Sequence, residues 1–267
     1  MIIDTIVTDM DDTLFKEEGK LSDFALEVMR ECGRRGIRVI PSSGRAQPSM
    51  EPYMRQLNTQ LPYIACNGAQ IVNADHTMME ELVLPAALAQ EVCAFWEGEG
   101  SYVQAYSGDL FYYSKEGIPS QRYKQSSGMA GMEVGDLTRF LTFDTPKLLA
   151  VGEPEDIARL YRLSRERYGD ELVFTISKPY FCEVTPPGAT KGDALARLAG
   201  RLGIVPERTM VFGDSLNDLS MFEFTPHSVA MENGRDEVKR AARFLCGPNT
   251  QDGMARFVQE RVLSQLP

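Results

Sequence analysis

The sequence lacks the features that mark disulfide-rich, zinc-binding and membrane-spanning proteins. Its five cysteines are scattered over 267 residues without a CxxC pair, which argues against a disulfide framework or a zinc knuckle. No apolar run approaches the roughly 18 residues that a membrane span needs. The chain opens on a strand-like segment rather than on a targeting sequence. We therefore expect reduced cysteines and a cytoplasmic protein.

An excess of basic residues is also missing, since the net charge is −10 at pH 7. Nucleic acids and anionic membranes need a basic surface, so neither is expected as a partner. An anionic substrate would need positive charge concentrated locally. Histidine is scarce as well, and His76 and His227 lie in predicted surface loops. Hydrophobic residues at 43% and charged residues at 25% are typical of a globular protein.

The first apolar segment ends in a cluster of acidic residues. Residues 2–7, IIDTIV, predict a strand that is buried on both faces of a parallel sheet. Asp9, Asp11 and Asp12 follow it within four residues. Three carboxylates repel one another unless a cation or a hydrogen-bond network holds them, and oxygen ligands favour Mg²⁺. The alternative is a polar turn after a strand, because aspartate is common in turns.

Three further turns have comparable chemistry. Residues 42–45, SSGR, follow a predicted strand at 37–40 and leave backbone N–H groups for an anion, although N-capping by Ser43 explains them too. Thr190 can cap a helix that begins near Lys191. A second acidic turn, GDSLND, follows the strand TMVF. In an open parallel sheet, turns after strands emerge at the carboxyl edge, so these residues are expected to converge.

The middle of the chain differs from its two ends. Residues 84–187 contain two similar units of helix, strand, turn and strand, separated by a Gly-rich, poorly periodic stretch at 115–144. Residues 1–83 and 188–267 alternate strands and helices. We therefore predict a doubly wound core of 1–83 and 188–267, interrupted by an α+β module at 84–187.

The motifs DMDDTL, SSGR, KGDAL and GDSLND, in that order, resemble the four motifs of the haloacid dehalogenase (HAD) superfamily. The insertion between the second and third motifs resembles the type IIB (C2B) cap of the Cof-like phosphatases. The likeness spans nearly the whole chain, and its specific part is DxDxT paired with a distant GDxxND. It implies an α/β class, with a doubly wound Rossmann-like parallel sheet and an inserted α+β cap.

The resemblance also implies roles for individual residues. Asp9 would be the nucleophile that forms an aspartyl phosphate, and Asp11 the general acid and then the general base. Mg²⁺ would be bound by Asp9, Asp11 through its backbone carbonyl, and Asp214, with Asp218 binding directly or orienting waters. The implied phosphate-binding residues are Ser43, Gly44, Lys191, Asn217, Met10 and Thr13. Asp12 departs from the family, which usually has glycine there.

These features predict a Mg²⁺-dependent phosphatase that acts on small phosphate monoesters such as sugar phosphates. A phosphotransferase or phosphomutase of the same superfamily, or a non-catalytic phospholigand-binding protein, remains an alternative. Expected partners are small phosphorylated metabolites, and the protein is expected to be a monomer or a homodimer. Substrate specificity is assigned to Arg45, Asn67, Lys178 and Tyr180, although ordinary turns or ion pairs explain these residues as well.

Overall fold

The computed structural model describes residues 2–17 and 19–265, and three sheets lie within them. The first part of the chain alternates strands and helices in the order β1 (Thr5–Thr8), α1 (Asp23–Arg34), β2 (Arg38–Pro41), α2 (Gln47–Leu57), β3 (Tyr63–Ala65), β4 (Gln70–Val72) and β5 (Met78–Glu81). Helix α1 begins where the Ser22 hydroxyl accepts a hydrogen bond from the Ala25 N–H at 3.0 Å. Its predicted apolar stripe of Ala25, Val28, Met29 and Cys32 is buried.

The second part forms the predicted module. Its elements are α3 (Ala86–Gly98), β6 (Tyr102–Ser107), β7 (Leu110–Tyr113), α4 (Ile118–Ser127), β8 (Ala130–Glu133), α5 (Leu137–Phe140), β9 (Leu148–Val151), α6 (Pro154–Tyr168), β10 (Val173–Lys178) and β11 (Phe181–Thr185). The two expected units of helix, strand, turn and strand are α3-β6-β7 and α6-β10-β11. The boundaries at residues 84 and 187 stay a prediction.

The chain then returns to the alternating pattern. It continues with α7 (Lys191–Leu202), β12 (Thr209–Gly213), α8 (Leu219–Phe222), β13 (Ser228–Met231), α9 (Asp236–Ala241), β14 (Phe244–Cys246) and α10 (Gly253–Arg261). Thr190 caps α7 as predicted, since its hydroxyl accepts the Asp193 N–H at 3.0 Å. Among the described helices, none combines the length and the apolar character that crossing a membrane requires.

The sheets confirm the predicted fold class. The core sheet has the order β14-β13-β12-β1-β2 and all its strand pairs are parallel. The cap sheet has the order β10-β11-β9-β6-β7-β8 and is antiparallel except for the β7–β8 pair. Strands β3, β4 and β5 form a small third sheet, which is antiparallel. The core sheet places the carboxyl ends of β1, β2 and β12 side by side.

The structure adds one feature and corrects two interpretations. The poorly periodic stretch at 115–144, for which the sequence predicted no elements, folds into α4, β8 and α5. Strand β1 begins only at Thr5, and Ile2 is 70% exposed rather than buried. Ser43 does not cap α2, whose N-cap is Ala46. The hydroxyl of Ser43 is therefore not committed to a helix end.

Candidate active site

The predicted motifs meet at the carboxyl edge of the core sheet. β1 pairs with β2 on one side and with β12 on the other, and the acidic and serine-containing turns follow these strands. The resulting pocket faces the cap. Its walls come from both parts of the chain: Asp9, Asp11, Asp12, Ser43, Gly44, Arg45, Asp214, Ser215 and Asn217 from the core, and Tyr123, Ser126, Ser127, Lys147, Leu149, Ser177, Lys178, Phe181 and Glu183 from the cap.

Asp9 directly follows β1. Its N–H donates to the Phe212 carbonyl of β12 at 3.0 Å, which continues the main-chain hydrogen bonding of the sheet one residue past the strand. The next residues, Met10–Leu14, form a tight turn in which Asp12 has a φ of 60°. This left-handed conformation favours glycine, but aspartate tolerates it. The turn therefore keeps its shape without the glycine that the family usually has there.

Lys191 connects the first and last motifs. Its fully buried ammonium lies 2.5 Å from Asp9 Oδ1 and 2.7 Å from Asp218 Oδ1. Burial lowers the pKa of Lys191, but the charges of Asp218 and Asp9 outweigh that effect and hold the pKa above its ordinary value. The ammonium thus stays charged between the two carboxylates.

Asp218 is held by both of its carboxylate oxygens. While Oδ1 accepts from Lys191, Oδ2 accepts the N–H groups of Asp214 and Ser215 at 2.9 and 3.0 Å. Gly213 makes room for this arrangement, because a Cβ there would lie 2.4 Å from Asp218 Cβ. Asp218 therefore orders the turn that carries Asp214.

The cluster contains three carboxylates, those of Asp9, Asp214 and Asp218, but only one ammonium, that of Lys191. Carboxylate oxygens of Asp9, Asp214 and Asp218 lie within 4.8 Å of one another, and Thr13 Oγ1 donates to Asp214 Oδ1 at 2.9 Å. Burial raises the pKa of Asp9 to about 7 although Lys191 opposes it, and burial with the neighbouring carboxylates raises that of Asp214 well above its ordinary value. A hard divalent cation fits this all-oxygen donor set, since it would compensate the excess negative charge.

Arg45 holds Asp11. Its Nε and Nη2 donate to the two oxygens of Asp11 at 2.7 and 2.8 Å, and its Nη1 donates to the Ser126 carbonyl of the cap at 2.8 Å. Burial alone would raise the pKa of Asp11, but the hydrogen bonds and charge of Arg45 hold it below its ordinary value. Arg45 therefore links the proposed acid–base residue to the cap.

The turn that contains Ser43, and the neighbouring amides of Asn67 and Asn217, have hydrogen-bonding atoms that other groups among the described residues do not use. Ser43 Oγ accepts the Arg45 N–H at 3.1 Å, so its own hydrogen can point elsewhere. Asn217 Nδ2 donates to Asn67 Oδ1 at 2.8 Å, which leaves Asn67 Nδ2 and Asn217 Oδ1 buried with no partner in the described chain. Unsatisfied buried amides are costly, and a bound polar ligand would satisfy them. Asn67 thus lies behind the pocket wall in contact with Asn217, and it also forms the turn between β3 and β4, with a φ of 54°.

The structure places the remaining predicted residues as follows. The Met10 side chain is fully buried in the hydrophobic core, so only its main chain could serve a phosphate. Lys178 lines the pocket, where its ammonium lies 3.4 Å from Asp12 Oδ2. Tyr180 is outside the pocket lining and its ring packs on Phe181 at a centroid distance of 4.6 Å. The roles of these residues stay predictions.

The sequence analysis missed the cap residues Lys147 and Glu183. They form an ion pair at 2.6 Å, with side chains only 2% and 3% exposed, and both line the pocket. A signal was present, because each charge lies beside or within an apolar strand, in KLLAV and FCEVT. The serines of α4 were missed for a different reason, since the stretch that contains them has no clear helical period.

Comparison with known proteins agrees with this geometry. The model of a family described as haloacid dehalogenase-like hydrolases matches residues 6–258. The chain belongs to this family. A putative phosphatase of Haemophilus influenzae is 26% identical over 98% of this chain and 99% of its own. The 5-amino-6-(5-phospho-D-ribitylamino)uracil phosphatase YwtE of Bacillus subtilis is 26% identical over 97% of this chain and 98% of its own.

The fold of this HAD hydrolase also has solved counterparts. A haloacid dehalogenase-like hydrolase from Bacteroides thetaiotaomicron superposes with a TM-score of 0.85 at 27% identity, covering 97% of this chain and 99% of the other. The predicted resemblance is therefore confirmed over both core and cap. The expectation of an enzyme of the phosphatase type is confirmed too, because relatives that match nearly the whole chain are named phosphatases.

Proposed function

We propose that this HAD hydrolase is a Mg²⁺-dependent phosphatase that releases phosphate from small phosphate monoesters through an aspartyl phosphate on Asp9. The observation that carries the proposal is the position of the Asp9 carboxylate. It lies at the carboxyl end of β1, its Oδ1 contacts the Lys191 ammonium, and it lines a pocket that Asp11 also lines. A buried carboxylate held by one oxygen is suited to nucleophilic attack through the other.

In the first step, Asp9 attacks phosphorus while the bond from phosphorus to the leaving oxygen breaks. Asp11 gives its proton to that oxygen, and Lys191 together with Ser43 and the Gly44 N–H stabilises the phosphoryl charge. In the second step, water attacks phosphorus, Asp11 takes the water's proton and the Asp9 carboxylate leaves. The pair with Arg45 favours the ionised Asp11 that the second step needs, so in the first step Asp11 must take up a proton and release Arg45 before it can protonate the leaving oxygen.

Asp9, Asp214 and the main-chain carbonyl of Asp11 would hold the metal ion. When bound, Mg²⁺ neutralises charge on the phosphoryl oxygens. Asp218 has both oxygens engaged by Lys191 and by main-chain N–H groups, which supports an orienting role for it rather than direct metal binding.

The substrate class rests on the pocket and on the relatives. Both the core and the cap line the pocket, and the cap side is built largely from hydroxyl, aromatic and paired charged groups. The YwtE name describes a phosphorylated small molecule with a polyhydroxylated chain, which supports a sugar phosphate or a similar monoester for this chain. A monomeric or homodimeric state and a cytoplasmic location stay predictions.

The decisive experiment replaces Asp9 by Asn. We expect the Asp9→Asn protein to release no phosphate from p-nitrophenyl phosphate, because an amide cannot form the acyl phosphate, while its circular dichroism spectrum matches the wild type. The matched control is Asp170→Asn, since that carboxylate is 94% exposed and outside the pocket. Full activity of Asp9→Asn, or wild-type activity that survives EDTA, would contradict the proposal.

The alternatives predict other products. A phosphotransferase would transfer the phosphoryl group to added alcohols or sugars rather than to water. A binding protein would bind a slowly cleaved phosphate ester in calorimetry without any turnover.

A further inference from the structure

The cap contains a buried ion pair that belongs to none of the four motifs. Lys147 precedes β9 and Glu183 lies within β11, beside it in the cap sheet. Their side chains are 2% and 3% exposed, and the ammonium lies 2.6 Å from Glu183 Oε2. Removing two charges from water is unfavourable, so a buried pair is weak evidence for a purely stabilising role.

Hydrogen bonds and a ring contact surround both members of the pair. Lys147 Nζ donates to the Gly44 carbonyl at 2.7 Å and lies 4.8 Å from the centre of the Tyr106 ring, and the Ser177 hydroxyl donates to Glu183. Burial lowers the pKa of Lys147, but the charge of Glu183 outweighs it, so the pKa is raised. The pair is therefore an ammonium and a carboxylate that cancel in net charge.

The pair faces the space where a leaving group must go. Phosphoryl transfer places the attacking and leaving oxygens roughly in line, so a leaving group extends from Asp9 toward the cap. The pocket that Asp9 and Asp11 line also has Lys147 and Glu183 in its wall. A leaving group held in this pocket therefore lies beside this pair.

The described residues that line the pocket include three cations, and each has a carboxylate partner. Arg45 pairs with Asp11, Lys147 with Glu183, and Lys178 with Asp12. The charge of each of these three cations is already compensated by its carboxylate partner. A leaving group with a carboxylate or a second phosphate would therefore gain little attraction, and the partner carboxylates would repel it.

We propose that the Lys147–Glu183 pair is a charge filter, which makes this site select phosphate monoesters whose leaving group carries no second negative charge. Glu183 is the specificity-determining residue, because it cancels the charge of Lys147 next to the leaving group. This inference rests on the proposed phosphatase activity and names its substrate class.

The test compares two substrates that differ only at the far end of a three-carbon chain. Glycerol 3-phosphate ends in a hydroxymethyl group and 3-phosphoglycerate in a carboxylate. The quantity measured is the ratio of kcat/KM for the neutral over the anionic leaving group. We expect the wild type to favour glycerol 3-phosphate, and Glu183→Gln to lower the ratio by about tenfold, mainly through KM for 3-phosphoglycerate.

Two variants complete the test. Lys147→Met removes the cation instead, so it should leave the ratio at or above the wild-type value. Glu155→Gln makes the same change in net charge at an exposed position of α6 outside the pocket, and it should leave the ratio unchanged. A structural role alone would not lower the ratio in Glu183→Gln and preserve or raise it in Lys147→Met. Thermal unfolding checks that each variant is folded.

The outcomes separate the filter from the proposed function. An unchanged ratio in Glu183→Gln that still hydrolyses glycerol 3-phosphate would overturn the filter and leave the phosphatase standing. A wild-type preference for 3-phosphoglycerate, or a lowered ratio in Lys147→Met, would overturn it as well. A wild type that hydrolyses no phosphate monoester at all would overturn the proposed function itself.

Discussion

The core and the cap each bury one lysine at the pocket, and the two lysines have different electrostatic surroundings. Lys191 in the core contacts Asp9 and Asp218 and lies beside a third carboxylate, Asp214. Lys147 in the cap is matched by Glu183 alone. The core cluster therefore has an excess of negative charge, which favours the binding of a cation. The cap pair has one positive and one negative charge and hence no net charge.

Buried charged residues can shift the pKa values of their neighbours, and they can select the charge of a ligand. The core cluster and the cap pair differ in which of these two effects they produce. An unbalanced buried cluster keeps pKa values displaced, as the raised values of Asp9 and Asp214 show. A balanced pair adds no net charge to the pocket, and we propose that it instead determines which charges a ligand can bring. The comparison predicts that equivalent changes in the two regions have unequal effects.

The largest effect is expected from removing the core lysine. Lys191→Met leaves the clustered carboxylates without their ammonium, so phosphate release should fall by at least about 100-fold. The free energy of unfolding without metal should fall by about 3 to 5 kcal/mol at pH 7. Urea unfolding measures the free energy of unfolding, and a phosphate assay measures the rate of phosphate release. Lys147→Met is the matched variant, and it should retain hydrolysis of glycerol 3-phosphate within about tenfold.

Equal losses of activity in the two lysine variants would contradict the distinction between core and cap. A Lys191→Met protein whose stability recovers as the pH is lowered would support it, because protonation relieves the repulsion among the unpaired carboxylates.

A smaller effect is expected from pH in the metal-free protein. The pKa of Asp9 rises from its ordinary 3.8 to about 7 on folding, so the folded state binds the proton more tightly. This stabilisation is fully present below about pH 4 and is lost as pH rises toward 7, and Asp214 acts in the same direction. The free energy of unfolding in EDTA should therefore fall by up to about 4 kcal/mol between these pH values.

Mg²⁺ provides the control for that measurement. An ion that binds the ionised carboxylates should recover much of the loss at pH 7 and little at pH 5. Urea unfolding at both pH values, with and without Mg²⁺, gives four free energies. A Mg²⁺ effect that is the same at pH 5 and pH 7 would show that these carboxylates do not hold the ion.

The smallest effect is expected from the helix that presents Lys191. A Cβ at Gly192 would lie 2.2 Å from the Ser220 carbonyl, so Gly192→Ala should push α7 away from α8 and cost about 1 to 3 kcal/mol of stability. Gly200 lies on the same helix with no atom within 4 Å of such a Cβ, and Gly200→Ala should stabilise by up to about 1 kcal/mol. Thermal unfolding compares the two. Equal shifts would mean that the contact of α7 with α8 does not position the lysine.

The parts of the fold that could be predicted were those in which the local sequence pattern already favours the secondary structure that the tertiary fold requires. The apolar stripe of α1, the cap at Thr190 and the repeated unit of the cap all have short-range signals in the sequence. The stretch at 115–144 has none, so α4, with its pocket serines, could not be found from periodicity. Its helix depends on packing against residues distant in the sequence.

The candidate site also has a part that the sequence predicted, in the core, and a part that it did not, in the cap. The sequence by itself determined where the core residues meet, because motif spacing and residue type already place Asp9, Lys191 and Asp214 at the ends of core strands or the start of a helix. Only the tertiary structure decided that Lys147 and Glu183 lie in the same pocket wall. Those two residues lie 36 positions apart with no motif between them, and the pairing of β9 with β11 brings them together. Charge compensation is a property of distance in space, which residue order alone does not specify.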